Sequence, residues 1–226
     1  MRVVLRVGGS VVATPINPEL MLQYVELLEE MRKQKHEIVV VIGGGKLARE
    51  MISVAKEIGL SEPAQDEIAI SASRIFAQLF LKKLGKNGCA AIPLTLKDTV
   101  ECLRKGKVIV MGGLKPGMTT DTVAALVAKK IRADVLVKAT NQDGVYNKDP
   151  AKHSDAVKID RLKIRDLIKV LSETKHKAGI HQIIDPEAVK ILSHCHLKVV
   201  VVNGFNPKNV LSAVEGKRIG TIIETA

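Results

Sequence analysis

The segment Ile38 to Ile52, IVVVIGGGKLAREMI, leaves little freedom of fold. A continuous β-branched run reads as a strand buried on both faces, the usual setting of a parallel strand. It breaks on Gly43-Gly44-Gly45, and a helical pattern follows with Lys46 and Arg49 in its first turn. Glycines admit a ligand close to the backbone, and the helix start presents free N–H groups with a positive dipole end. Arg49 adds a planar fork suited to phosphate or carboxylate. The segment is an anion site on an α/β scaffold.

The same arrangement recurs along the chain. Arg2 to Val7 is an apolar strand ending in Gly8-Gly9-Ser10. Asn17-Pro18 starts a helix with an N-cap and a proline at the first helical position. A long helix over 64–84 is expected to turn Ile68, Ala72, Ile75, Leu79 and Phe80 inward. Cys89 to Leu94 reads as a short strand and Thr95 to Leu103 as a helix. Lys107 to Met111 is a strand ending in Gly112-Gly113, and a helix runs over 120–131. The second half offers a strand over 134–139 and a polar loop over 140–150. Helices follow at 164–171, 184–194 and after Asn206-Pro207, with a loop at 175–180 and strands at 197–202 and 219–223. This order predicts an α/β fold, a three-layer open and mainly parallel sheet with helices on both faces. One domain of two lobes is expected, 1–133 and 134–226. Four strand ends, at 8–10, 43–45, 112–121 and 140–149, carry glycine or polar residues, and ligands bind outside such ends.

Composition narrows the function classes. The net charge is +11, but its lysines and arginines alternate with glutamates and form no long basic block. With no tryptophan, two tyrosines and three phenylalanines, stacking on successive bases has little to work with, so no specific nucleic-acid partner is expected. No apolar run reaches the ~18 residues of a membrane span, and Met1-Arg2 leads directly into a strand. Cys89, Cys102 and Cys195, odd in number and scattered, suit reduced thiols in a cytoplasm. His194-Cys195-His196 has the composition of a metal cluster, but adjacent residues at a helix end do not converge on one ion, and no protein metal site is expected.

Two familiar phosphate loops fail. A Walker loop needs Ser or Thr after its lysine, and Leu47 follows Lys46. Gly43, Gly45 and Ala48 formally fit a dinucleotide fingerprint, but residues 60–65 supply no second strand ending in an acid.

Together these pieces resemble the amino acid kinase superfamily, and within it the archaeal-type uridylate (UMP) kinases. The matching stretches are Val7 to Ser10, Gly43 to Arg49, Asp66-Glu67-Ile68 with Ser73-Arg74, and Met111-Gly112-Gly113. Further on come Pro116-Gly117, Thr119-Thr120-Asp121, Thr140-Asn141 with Asp143 to Tyr146, Asp149-Pro150, Ala178-Gly179 and Ile184-Asp185-Pro186. The resemblance implies transfer of the γ-phosphoryl group of ATP to UMP, with Mg2+, by a homohexamer. It places Gly9, Ser10, Gly45 and Arg49 at the ATP phosphates, and Thr140, Asn141, Tyr146 and Asp149 at the adenosine. It places Gly44 and Asp66 at UMP, with the loop Leu114, Lys115, Pro116, Gly117, Met118, Thr119 and Thr120. Arg6 and Arg49 are candidate catalytic cations. Asp121 and Asp185 are candidates for organising magnesium or a catalytic cation, each equally placed to be a helix N-cap.

The chain departs from that pattern in places. Arg6 stands where the wider superfamily often has lysine, and Leu114 where many UMP kinases have threonine. Ala69 and Phe76 replace a usual glycine and asparagine. Isopentenyl phosphate kinases carry histidine at the Arg49 position, which argues against them. The competing expectations are another kinase of the superfamily with a different small phosphate or carboxylate acceptor, and a catalytically silent nucleotide-binding or oxyanion-storage relative.

Overall fold

The computed structural model describes residues 1–167 and 183–225. Its frame is one seven-stranded sheet in the order β3-β2-β1-β4-β8-β9-β7. Here β1 is Arg2–Val7, β2 Glu37–Ile42, β3 Ile109–Met111, β4 Val135–Thr140, β7 Arg161–Lys163, β8 Lys198–Asn203 and β9 Thr221–Glu224. Every neighbouring pair is parallel except β8 and β9. A separate antiparallel ribbon joins β5, Val145–Tyr146, to β6, Lys158–Ile159. The helices are α1 Gly9–Val12, α2 Pro18–Lys33, α3 Gly45–Glu57, α4 Glu62–Leu84, α5 Leu96–Arg104, α6 Thr120–Ile131, α7 Pro186–Leu192 and α8 Lys208–Val214. The helix expected over 164–171 begins at Ile164 and passes out of the described residues after Leu167; the loop at 175–180 lies outside them.

Strand alternation decides what each face carries. Val3, Leu5 and Val7 of β1 join Leu28, Met31, Phe76, Phe80 and Val210 in one core. Val4 joins Ile109, Val123, Val127, Val189 and Val199 in the other. Arg6 shares the parity of Val4, and Lys138 that of Leu136, so both polar side chains belong to the face covered by α6 and α7. β1 and β4 are in register with Arg6 opposite Lys138.

Three expectations change. On α4 only Ala72 and Phe80 of the five named residues point inward. Ile68, Ile75 and Leu79 are 37%, 52% and 51% exposed, while Phe76, Ala77, Leu81 and Leu84 are buried. That helix is apolar on two sides, and periodicity alone does not tell which side the sheet takes. Cys89 to Leu94 is not a strand: Gly88 bridges to Val108 and Cys89 N–H donates to the Val108 carbonyl, after which the chain bends away. Pro93 has no N–H to offer a ladder. Finally, Cys89 and Cys102 form a disulfide instead of two free thiols, because the segment after Gly88 passes beside α5; Cys195 is free and buried.

Candidate active site

The two glycine loops after β1 and β2 touch backbone to backbone. A Cβ on Gly9 would sit 2.1 Å from Gly45 N and 2.9 Å from Gly43 O, and one on Gly45 would sit 2.5 Å from Gly9 O. Gly45 also holds φ at +60°, so glycine is required there on two counts. Thr14, which sequence reasoning passed over, stitches the loops: its Oγ1 donates to the Gly9 carbonyl at 3.1 Å and accepts the Lys46 N–H at 2.8 Å. Ser10 is half-buried beside them in α1. Arg49 lies at the fifth position of α3, one turn later than expected; it is exposed and has no ion-pair partner among the described residues.

Beside this contact opens a cleft of about 420 Å3, lined by Gly44, Ala48, Asp66, Ala69, Ile70, Ser73, Gly113, Gly117, Met118, Thr119 and Thr120. It gathers six of the nine residues expected to hold the acceptor. The other three stand apart. Leu114 packs against the core on the α6 face, and neither Lys115 nor Pro116 lines the cleft. The cleft wall is fixed from α4. Asp66 Oδ2 accepts the Gly117 N–H at 2.7 Å, and Ser73 Oγ accepts the Gly113 N–H at 2.8 Å. Arg74 donates to the carbonyls of Gly113 and Leu114 at 3.1 and 3.0 Å. Ala69 puts a methyl group in the cleft wall where the resembled pattern has none.

Behind the cleft lies a buried charge cluster. Arg6 Nε is 2.7 Å from Asp121 Oδ1, a charge contact without hydrogen-bond alignment, and Arg6 Nη2 donates to Thr120 Oγ1 at 2.9 Å. Lys138, only 5% exposed, donates to the other Asp121 oxygen. Burial pushes the Asp121 carboxyl up, but Arg6 and Lys138 outweigh it and hold the group below its ordinary range. Burial, with the Arg6 charge, pulls the Lys138 ammonium down to about 8 despite Asp121. Lys138 was invisible in the sequence because its neighbours in β4 are apolar; the signal available was a lone cation at an inward position of a buried strand. Asp185 caps α7 by accepting the Ala188 N–H at 2.9 Å, and it also accepts the hydroxyls of Thr119 at 2.6 Å and Thr122 at 3.0 Å. Thr119, not Asp121, caps α6.

Thr140, Asn141, Tyr146 and Asp149 lie at the end of β4 and on the following loop and ribbon, outside the cleft but at the same end of the sheet. Gly8 N–H donates to the Ala139 carbonyl at 2.8 Å and Gly204 N–H to the Thr140 carbonyl at 2.7 Å, tying that loop to β1 and β8. Asp149 accepts the Ala151 N–H at 3.0 Å and pairs with Lys152. Lys175, Lys177 and Ala178-Gly179 lie outside the described residues.

Among the described residues no group of three or more His, Cys, Asp or Glu could hold a metal. Both Asp121 oxygens face cations and both Asp185 oxygens accept hydroxyl or N–H groups, so neither fits a protein-built magnesium site. His194 Nδ1 sits 2.9 Å from the Lys190 carbonyl and 3.1 Å from Ser193 Oγ.

A parallel sheet whose touching glycine loops adjoin an acceptor-sized cleft and a buried cation pair is a phosphoryl-transfer scaffold. Residues 1–203 match the model of the amino acid kinase family, and the chain belongs to that family. More particularly, it is 40% identical over 226 residues to the uridylate kinase of Methanocaldococcus jannaschii, covering 99% of this chain and 100% of that one. It is 40% identical to the uridylate kinase of Archaeoglobus fulgidus, at 99% and 100% coverage. The crystal structure of uridylate kinase from Archaeoglobus fulgidus superposes with a TM-score of 0.88 at 39% identity, covering 99% of this chain and 100% of that chain. The UMP kinase structure from Bacillus anthracis shares the fold at 21% identity, with a TM-score of 0.84 over 99% of this chain and 96% of its own.

Proposed function

We propose that this chain is a nucleoside monophosphate kinase that transfers the γ-phosphoryl group of ATP to UMP, giving ADP and UDP. The observation that carries the reading is the position of the Gly44–Asp66–Thr120 cleft against the Gly9–Gly45 contact. UMP occupies the cleft, with its ribose towards Asp66 and its phosphate towards Gly44 and the start of α6. ATP phosphates lie over Gly9, Ser10 and Gly45 near Arg49, and the adenosine over Thr140, Asn141, Tyr146 and Asp149. An oxygen of the UMP phosphate then attacks the γ-phosphorus as the bond to the ADP oxygen breaks. Such a transfer needs positioning and charge stabilisation more than a covalent catalyst. Backbone N–H groups and Arg49 supply both at the phosphates. Asp121 acts on the cations: lying between Arg6 and Lys138, it pairs with both and holds Arg6 in place under Thr120. Asp185 holds Thr119 and Thr122, which joins the acceptor loop to the second half of the chain. Mg2+ bound with ATP would supply neutralisation of phosphate charge, and with Asp121 and Asp185 already engaged the ATP phosphates would have to hold it.

The lobes divide near residue 133 on the shared sheet, the first taking the acceptor and the ATP phosphates and the second the adenosine. Homo-oligomerisation, hexameric by resemblance, is supported by Met51 and Val54 on α3, Ile58 just after it, and Ile68, Ile75 and Leu79 on α4, all exposed along two helices that pack together. We place the reaction in the cytoplasm as part of pyrimidine nucleotide synthesis; the Cys89–Cys102 disulfide is the feature that pulls against that setting.

The deciding assay offers ATP-Mg with UMP, CMP, isopentenyl phosphate and N-acetylglutamate in turn and follows ADP release. Turnover with UMP foremost is expected. Turnover of another acceptor without UMP, or ATP binding without transfer to any, overturns the reading.

A further inference from the structure

Four buried side-chain polar atoms lack a hydrogen-bond partner among the described residues: Arg6 Nε, Asp121 Oδ1, Arg32 Nε and His36 Nδ1. The first two face each other at 2.7 Å inside the charge cluster. The remaining two, Arg32 Nε and His36 Nδ1, belong to residues that line one cleft, of about 250 Å3, together with Lys35, Glu37, Leu103, Gly106, Lys107 and Val108. It lies between the end of α2 and the turn before β3, where β2 begins, so it opens at the end of the sheet opposite the glycine loops.

Its charges do not balance. Arg32, Lys35 and Lys107 bring three cations, and Glu37 is the one carboxylate in the wall. Glu37 is already engaged by Arg2, whose Nε donates to it at 2.7 Å. The positive end of Met1 adds to the field, since its amino charge and, before it, burial hold the His36 imidazole below its ordinary range. A buried polar nitrogen without a partner costs about 1–3 kcal/mol, more when it carries charge, and native structures rarely leave one unexplained. Helix α2 ends near Arg32, and a helix C-terminus favours cations there; that explains a surface arginine but neither unpartnered nitrogen.

We propose that this cleft binds a phosphate-type oxyanion, free or as the phosphoryl head of a small metabolite. Its oxygens accept from Arg32 Nε and from His36 Nδ1–H, with Lys35 and Lys107 neutralising charge. Lys107 Nζ donates to the Lys86 carbonyl at 2.7 Å and keeps further protons for the anion. The imidazole takes up a proton as the anion enters, so bound anion raises the imidazole pKa. The Met1 amino group, Arg32, Lys35 and Lys107 oppose that proton, the Met1 backbone hydrogen bond and Glu37 favour it, and the anion tips the balance. The site is independent of the phosphoryl-transfer reading.

The test uses the intact protein saturated with UMP and a non-hydrolysable ATP analogue, so that the catalytic cleft is already filled. Inorganic phosphate and ribose 5-phosphate are titrated separately, following the His36 imidazole resonances by NMR, assigned with His36→Gln, and thermal unfolding in parallel. Saturable movement of His36 with a raised imidazole pKa is expected, and Arg32→Gln weakens it about tenfold, the loss of one charge-assisted hydrogen bond. Saturation by phosphate alone identifies the free anion, and tighter binding of ribose 5-phosphate identifies a metabolite headgroup. His36 resonances unmoved by either probe, or an affinity unchanged in a folded Arg32→Gln variant, overturn the proposal.

Discussion

Asp121→Asn tests the buried charge cluster most sharply. The substitution keeps size and shape but leaves Arg6 and Lys138 without a carboxylate, one with its side chain 17% exposed and the other 7%. Breaking a buried pair on one side costs about 3–5 kcal/mol, a large part of the roughly 5–15 kcal/mol that holds a domain together. At about 2–4 °C per kcal/mol for a chain of this length, Tm should fall on the order of 10 °C near pH 6. The pH dependence gives the argument its sign. Lys138 has its folded pKa pulled from 10.5 to about 8, so the folded state binds fewer protons than the unfolded one between those values, and stability gains as pH rises through them. Asp121 is one of the groups that hold Lys138 up. Without it the folded pKa drops further, and the gain begins at lower pH in the variant. The stability gap should therefore narrow from pH 6 to pH 9. Circular-dichroism melts of parent and variant at fixed protein concentration across that range measure it. A variant melting within about 2 °C of the parent at pH 6, or a gap that widens with pH, would refute the reasoning.

Other outcomes follow from the same geometry. Arg49→Ala should lower kcat by about a hundredfold or more, the scale of one lost transition-state donor, while Tm stays put because the side chain is exposed and has no ion-pair partner among the described residues; steady-state kinetics beside a melt decide it. Gly9→Ala forces a methyl group onto Gly45 N at 2.1 Å, so ATP binding by calorimetry should vanish together with a large drop in Tm; unchanged ATP affinity would sink the view that the loops need contact. Asp66→Ala frees the Gly117 N–H and should raise KM for UMP at least tenfold with KM for ATP unchanged, whereas Asp66→Asn retains an acceptor for that bond. Tyr24→Phe removes the buried hydroxyl that donates to the Gly204 carbonyl at 2.7 Å and should cost about 1–2 kcal/mol in urea unfolding.

Much of this molecule is written locally. An uninterrupted β-branched run beside glycines specifies a buried strand and a close-approach loop whatever else the chain does. Asn17-Pro18 and Asp185-Pro186 specify helix starts, and both asparagine and aspartate cap as expected. Asp66 and Gly117 to Thr120, named through the family resemblance, do line one cleft, and each sits near a helix start or a glycine turn.

What the sequence left open depends on which surfaces meet. Nothing near Lys138 marks it; its meaning comes from the parallel register that sets it opposite Arg6 and from α6, which brings Asp121 over both. The inward face of α4 could not be read because the helix is apolar on two sides, and only packing on the sheet chose Phe76 and Phe80 over Ile75 and Leu79. Cys89 found Cys102 through the path of the chain beside α5. Backbone periodicity is a short-range property carried by each segment; charge pairing, face selection and disulfide pairing are long-range, and the tertiary structure alone decided them.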